Sequence, residues 1–291
     1  MNPWISNRTL IALGFGLSLL APLVAQSAPA AELRGYIVGG AAFSPGFYFS
    51  QSVMPANATS SVVRSVSDTG SDGSYADGNV AVFFGNLHSY SDAHEVNTGG
   101  GAPQSHASSE FIDYIKPWAS SPVGFTFYNL TLTISGSHSP TNGFGPYPGY
   151  TAQGSLRYDI RDNQTGDVFA SGYYDTNDST PPSFTVSAGI TVPKSEQTDD
   201  IRIDISLDTY AYVSNLNPAY QTAVADYSHT LVVHLDAVTP GASTLGASGF
   251  DYATVASVPE PSTWLTLIAG IAVLGISRRG SAAADSVARP G

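Results

Sequence analysis

The sequence predicts an all-β chain folded as an antiparallel β-sandwich, jelly-roll-like or Ig-like in type. Three observations predict it. Only 12% of the 291 residues are charged, while Gly (29), Tyr (16) and Pro (19) are abundant; aromatic and β-branched residues suit a pleated, half-buried surface, and Gly and Pro interrupt helices. Apolar and polar residues alternate with period two over several stretches, as in a strand with one face buried. Short runs of turn residues separate those stretches at strand-length spacing.

The clearest alternation is Ile201-Arg202-Ile203-Asp204-Ile205-Ser206-Leu207-Asp208, continuing through Tyr210 and Tyr212 to Val213. A second, GFTFYNLTLTIS at 124–135, has apolar residues on both parities, so both faces are at least partly covered. Further strands are expected at 33–38, 79–84, 155–161, 167–174, 184–192 and 230–238. The stretch SSEFIDYIKPW at 108–118 carries a weak helical spacing but lacks a capping glutamate, and it is read as a strand. Asn163-Gln164-Thr165-Gly166 is expected to close a tight hairpin. The segments SVSDTGSDGSYADGN and NTGGGAPQSH are rich in small polar residues and read as long loops, which makes 31–107 the looser part of the body. No stretch of the mature body has a convincing helical period, and no internal repeat of fixed length is evident.

The sequence has no cysteine, which excludes disulfides, thiolate metal sites and cysteine nucleophiles. Between residues 31 and 257 seven scattered basic residues face 21 acidic ones. Phosphate binding needs clustered cations, so nucleic acid is excluded as a partner. That span is long enough to bury a full core without cross-links.

The first 30 residues follow a three-part plan. A lone Arg8 precedes an apolar run at 10–25, and Ala28-Pro29-Ala30 supplies small residues. This is the layout of a secretory signal peptide with cleavage after Ala30. The run is too short and interrupted for a spanning anchor. Signal peptidase is the processing partner this implies.

The other end reads VPEPSTWLTLIAGIAVLGISRRG at 258–280. The 13 uncharged residues 264–276 would rise about 20 Å as a helix, at about 1.5 Å per residue. That makes a short, marginal transmembrane helix, and Arg278-Arg279 behind it would stay on the cytoplasmic side. Two prolines hold Glu260 in an extended backbone with few free donors. Val258-Pro259-Glu260-Pro261-Ser262-Thr263, then the apolar segment, then the Arg278/Arg279 stop, closely resembles the PEP-CTERM sorting signal of Gram-negative bacteria. The resemblance covers about 23 residues. It implies recognition by exosortase, transient anchoring in the inner membrane, and release to the cell surface or beyond, in association with exopolysaccharide and biofilm matrix. One departure is the polar tail SAAADSVARPG at 281–291, read as disordered, where family members usually end soon after the arginines.

Little in the body points to chemistry. The six histidines (His88, His94, His106, His138, His229, His234) form no HExxH or HxH pattern. No GxSxG elbow and no phosphate-binding glycine loop is present. No cofactor is expected. Asp68, Asp72 and Asp77, interleaved with glycines, form a weak candidate for Ca²⁺, against the plainer reading of a solvated loop. Phe144, Tyr147 and Tyr150 sit in a Pro/Gly-braced run and form a candidate platform for sugar rings, against the plainer reading of a loop packed on its own core.

The expected organisation is therefore a signal peptide at 1–30, a secreted body at 31–257, a sorting signal at 258–280 and a tail. The expected function is that of a non-enzymatic surface or matrix protein. A carbohydrate-binding module or adhesin is the alternative, and a secreted hydrolase is the third reading.

Overall fold

The computed structural model describes residues 29–41, 46–54, 57–96, 102–117, 124–139, 150–176, 183–196, 200–213 and 222–254. Residues 1–28 and 255–291, which carry nearly all of the expected signal peptide and the whole expected sorting signal with their flanking helices, lie outside the described residues. Among those described, no helix is long and apolar enough to cross a membrane.

Among the described residues twelve strands follow one another: β1 (Glu32–Gly40), β2 (Phe47–Val53), β3 (Val62–Thr69), β4 (Tyr75–Phe83), β5 (Asn86–His94), β6 (Gln104–Ile115), β7 (Phe125–His138), β8 (Tyr150–Asp162), β9 (Val168–Thr176), β10 (Phe184–Pro193), β11 (Ile201–Val213) and β12 (Thr222–Ala237). One short 3₁₀ turn, Lys194–Glu196, lies between β10 and β11. The strands form two six-stranded sheets, sheet A in the order β2-β1-β6-β11-β8-β9 and sheet B in the order β10-β7-β12-β5-β4-β3. All pairings are antiparallel. The predicted sandwich is present. Two sheets of six exceed the seven to nine strands of the immunoglobulin plan and the eight of a jelly roll.

Strand β11 shows why the alternation was readable. It lies between β6 and β8 in sheet A, and its burial alternates at every residue from Ile201 to Val213. Residues 108–115 of the SSEFIDYIKPW stretch lie in β6, a strand as expected. The 163–166 hairpin also forms. Gly166 takes a φ of 80°, and its N–H donates to the Asp162 carbonyl at 3.1 Å. The expected long loop at 65–79 needs correction, because β3 and β4 occupy most of it, and strands β2 and β5 also lie in the part read as loose; of the second loop, 97–101 lies outside the described residues and 104–106 opens β6. β5 (NLHSYSDAH) hides its strand character by pointing Ser89 and Ser91 into the sandwich, each 1% exposed or less.

Those serines belong to a division of the core. At one end the inner faces carry large side chains, among them Phe84, Phe111, Leu130, Leu132, Ile203, Leu231 and Tyr252. At the other end the inner faces carry Ala93, Ala152, Ala211, Ala223 and Ala225. There the sheets hydrogen-bond directly to each other. Ser89 Oγ donates to the Ala107 carbonyl at 2.9 Å, Ser91 Oγ donates to the Thr209 carbonyl at 3.1 Å, and both hydroxyls meet Thr209 Oγ1 at 2.9 and 3.0 Å. Between the two regimes the Tyr227 ring crosses the gap. A Cβ on either Gly136 or Gly154 would come within 2.5 Å of that ring. The Tyr227 hydroxyl donates to Thr176 Oγ1 at 2.5 Å.

The large end is closed by residues 239–254, which run back under the sandwich. Asp113, fully buried on β6, holds this strap. Its carboxylate accepts from Ser248 Oγ (2.6 Å), Ser248 N (3.1 Å), Tyr252 Oη (3.0 Å) and Tyr114 N (2.8 Å). The Tyr252 ring then packs on Phe250 at 4.9 Å and on Phe111 at 6.0 Å. Replacing Asp113 by alanine strands several buried donors at once. Urea unfolding of Asp113→Ala is expected to show a loss of about 3 kcal/mol, against about 1 kcal/mol for Ser248→Ala.

Candidate functional site

With odd-numbered β11 residues turned inward, the even-numbered ones face solvent on sheet A: Arg202, Asp204, Ser206, Asp208, Tyr210 and Tyr212. Register places Tyr210 beside His106 on β6, His106 beside Val38 on β1, and Val38 beside Tyr48 on β2. One step along β1, Tyr36 faces the same way. The result is a continuous row of rings across the sheet. Tyr48 meets Tyr36 edge-on at 5.7 Å, Tyr36 meets His106 at 5.7 Å, His106 meets Tyr210 at 6.5 Å, and Tyr210 stacks with Tyr212 at 6.5 Å. Tyr48 is 69% exposed, and the other four rings are partly buried by one another. Edge-to-face contacts of this kind are a preferred arrangement of aromatic rings.

Polar groups frame the row. Asp208 Oδ1 lies 3.6 Å from His106 Nε2, and Ser50, Ser108 and Ser155 occupy neighbouring outward positions. Further along the same face the character changes to ion pairs. Arg34 bridges Glu32 at 2.7 Å and Glu110 at 3.0 Å, Arg202 pairs with Asp204 at 2.6 Å, and Arg161 pairs with Asp159. Asp204 is a close carboxylate neighbour of Glu110. Burial first, and that neighbouring carboxylate second, push the Glu110 carboxyl above its ordinary range.

The outer face of sheet B is different. Asp77 on β4 lies directly opposite Asp92 on β5. The Tyr90 and Tyr75 hydroxyls donate to Asp92 Oδ2 at 3.1 and 3.4 Å, and the Tyr75 ring stacks on His94 at 5.0 Å. Burial raises the Asp92 carboxyl, and Asp77 adds to the rise.

The residues singled out in the sequence fare unevenly. The structure parts Asp68, Asp72 and Asp77. Asp68 pairs with inward-facing Ala76 on sheet B and accepts from Ala41 N at 2.9 Å; Asp72 caps Ser74 in the β3–β4 turn at 3.0 Å; Asp77 lies on the outer face. Opposite faces of one sheet cannot share an ion. Among the described residues no group of three or more His, Asp or Glu side chains is arranged to hold a metal. Of the proposed sugar platform, Phe144 and Tyr147 lie outside the described residues, and Tyr150 opens β8 opposite Val213. The sorting motif, Arg278 and Arg279 also lie outside, while Ala30 directly precedes buried Ala31 at the start of the body. The aromatic row was missed. Its signal was there in part, since Tyr210 and Tyr212 share the parity of the charged residues of β11.

No family model matches the chain. No curated protein matches it at a significant level. Among solved structures, it is similar to the CBM27-1 module of Caldicellulosiruptor saccharolyticus in complex with mannohexaose, at 14% identity over 50% of this chain and 73% of that one, with a TM-score of 0.18. It is also similar to the CBM22-1–GH10 modules of Clostridium thermocellum xylanase 10B complexed with xylohexaose, at 12% identity over 57% and 25%, TM-score 0.19. A third is a structure of carbohydrate-binding modules from the β-sandwich superfamily, at 10% identity over 68% and 84%, TM-score 0.21. These TM-scores lie far below that of a shared strand arrangement, and the sandwich rests on the strand pairing described above.

Burial holds four carboxyls, Asp92, Glu95, Glu110 and Asp113, above their ordinary range. A native acid with a raised pKa keeps its proton where the unfolded acid has lost it. Stability therefore falls as pH rises from the ordinary carboxylate value of about 4 through the raised values. Glu32, lowered chiefly by its bond to Arg34, works the other way and only at lower pH. The melting temperature in EDTA is expected to rise as pH is taken from 8 to 5. Glu110→Gln, which keeps a partner for Arg34, is expected to flatten part of that slope.

Proposed function

We propose that the folded body is a non-catalytic carbohydrate-binding module, displayed outside the cell, that lays an extended polysaccharide along the aromatic row of sheet A. The observation that carries this reading is the row itself: Tyr48, Tyr36, His106, Tyr210 and Tyr212 in unbroken contact on a solvent face. Sugar rings are apolar on their faces and polar at their rims. A ligand of that kind needs aromatic surface flanked by hydrogen-bonding groups, and Asp208 with the neighbouring serines provides the second part. Contiguous apolar surface rimmed by polar groups commonly marks a binding site.

A hydrolytic reading has less support. Glu110 is ion-paired to Arg34 at 3.0 Å and Asp204 to Arg202 at 2.6 Å, whereas the two carboxyls of a glycosidase must be open to the reacting atoms. The address comes from the ends of the chain. On this reading signal peptidase removes 1–30, exosortase acts near Val258, and the body joins exopolysaccharide at the cell surface or in the matrix. Binding to that polymer and residence in the matrix are then one activity.

Affinity electrophoresis through gels cast with neutral and acidic polysaccharides tests the binding. The wild-type body should be retarded by at least one polymer. Tyr48→Ala and Tyr210→Ala should weaken binding at least tenfold, about 1.4 kcal/mol, with unchanged circular dichroism. Equal mobility of wild type and variants in every gel refutes the reading. For the address, alanines at Pro259, Glu260 and Pro261 should leave the full-length protein in the inner membrane of the native host, while the wild type appears shortened outside the cell.

A further inference from the structure

The outer face of sheet B holds two carboxylates in a position that ordinary sheet pairing disfavours. Asp77 and Asp92 are direct cross-strand partners on β4 and β5, and like charges so placed repel. Among the described residues, no lysine or arginine forms an ion pair with either of them. The charged groups that act on Asp92 are Asp77, which opposes its ionisation, and His94, which favours it but is engaged by Tyr75 and by Thr222 Oγ1 at 2.7 Å. Tyr90, next to the pair, senses Asp92, Asp226 and Asp77, all negative.

A second observation concerns single atoms. Asp92 is 7% exposed. Its Oδ2 takes the two tyrosine hydroxyls, but its Oδ1 is hidden from solvent and has no hydrogen-bond partner. Oδ1 of Asp77, the residue it faces, is in the same condition. A buried carboxylate oxygen without a donor costs far more than a solvated one. Two of them on facing residues call for a positive ligand between the strands.

We propose that Asp77 and Asp92 form a binding site for a hard divalent cation of the Ca²⁺ type. Oδ1 of each residue is the protein's charged ligand, and water completes the shell, as oxygen-seeking cations permit. Softer metals are disfavoured because the pair offers oxygen only. The tyrosine bonds fix the Asp92 carboxylate, leaving its second oxygen to the ion. This site differs from the loop trio expected from sequence: it shares Asp77 but takes its partner from the neighbouring strand. It is independent of whatever sheet A binds, since it lies on the other face of the sandwich.

The two hydroxyls supply an experiment. Tb³⁺ replaces Ca²⁺ at oxygen sites, and phenol rings this near the ion should transfer excitation to it. Excitation of the body's tyrosines in the presence of Tb³⁺ should give sensitised emission that Ca²⁺ displaces, and Ca²⁺ should raise the melting temperature relative to EDTA. Asp77→Asn and Asp92→Asn should abolish both effects. The same variants should melt no lower than the wild type in EDTA, because each removes one of two repelling charges. Displaceable emission that survives in both variants places the ion elsewhere and overturns the proposal. Absence of both emission and thermal shift in the folded wild type overturns it as well, and leaves the pair sharing a proton instead.

Discussion

Small side chains set the distance between the two sheets at the end that carries the aromatic row. Ser89, Ser91, Thr209 and five alanines replace the leucines and isoleucines found further along, so backbone carbonyls on sheet A come within reach of hydroxyls on sheet B. A hydrogen bond between sheets tolerates far less displacement than a greasy contact. The strands that present Tyr210 and His106 outward are therefore the strands most firmly tied from behind. At the wide end the same sheets diverge enough to admit Phe111, Tyr252 and Leu231, and the gap needs a lid, which the strap supplies through Asp113.

Much of this architecture could be read from the residues, and what could not has a physical cause. β11 was plain because each inward residue is apolar or a lone threonine and each outward residue is polar or a tyrosine. β5 was opaque because three of its four inward positions, Ser89, Ser91 and Ala93, hold small side chains suited to the narrow end but indistinguishable from a loop in a sequence. β2 and β3 are edge strands with largely exposed faces, so no core pattern marks them. The aromatic row could not be assembled from sequence at all. Its rings come from positions 36, 48, 106, 210 and 212, and only the order β2-β1-β6-β11 makes them neighbours. The Asp77–Asp92 pairing has the same origin on a smaller scale, since it depends on the β4–β5 register.

Charge is sorted by face rather than by segment. Four of the seven basic residues between 31 and 257, Arg34, Arg157, Arg161 and Arg202, lie on the outer face of sheet A, where they offset Glu32, Glu110, Asp159 and Asp204. Sheet B keeps its acids near Asp77 without such company. A chain with a formal charge of −12 thus has one face near balance and one in deficit.

The strap has a directional consequence. It ends the described body at Thr254, beneath the wide end, and Glu32 begins β1 on that same side of the sandwich, level with Ile112. From Tyr114, against which the strap is bonded, to His106 in the aromatic row is eight residues of strand, or about 26 Å. A tether attached after Thr254 would therefore pull on the lid, with the row of rings at the far pole. If the row holds a polymer as proposed, load on it would run lengthwise down β6 and β11 toward the Asp113 clamp.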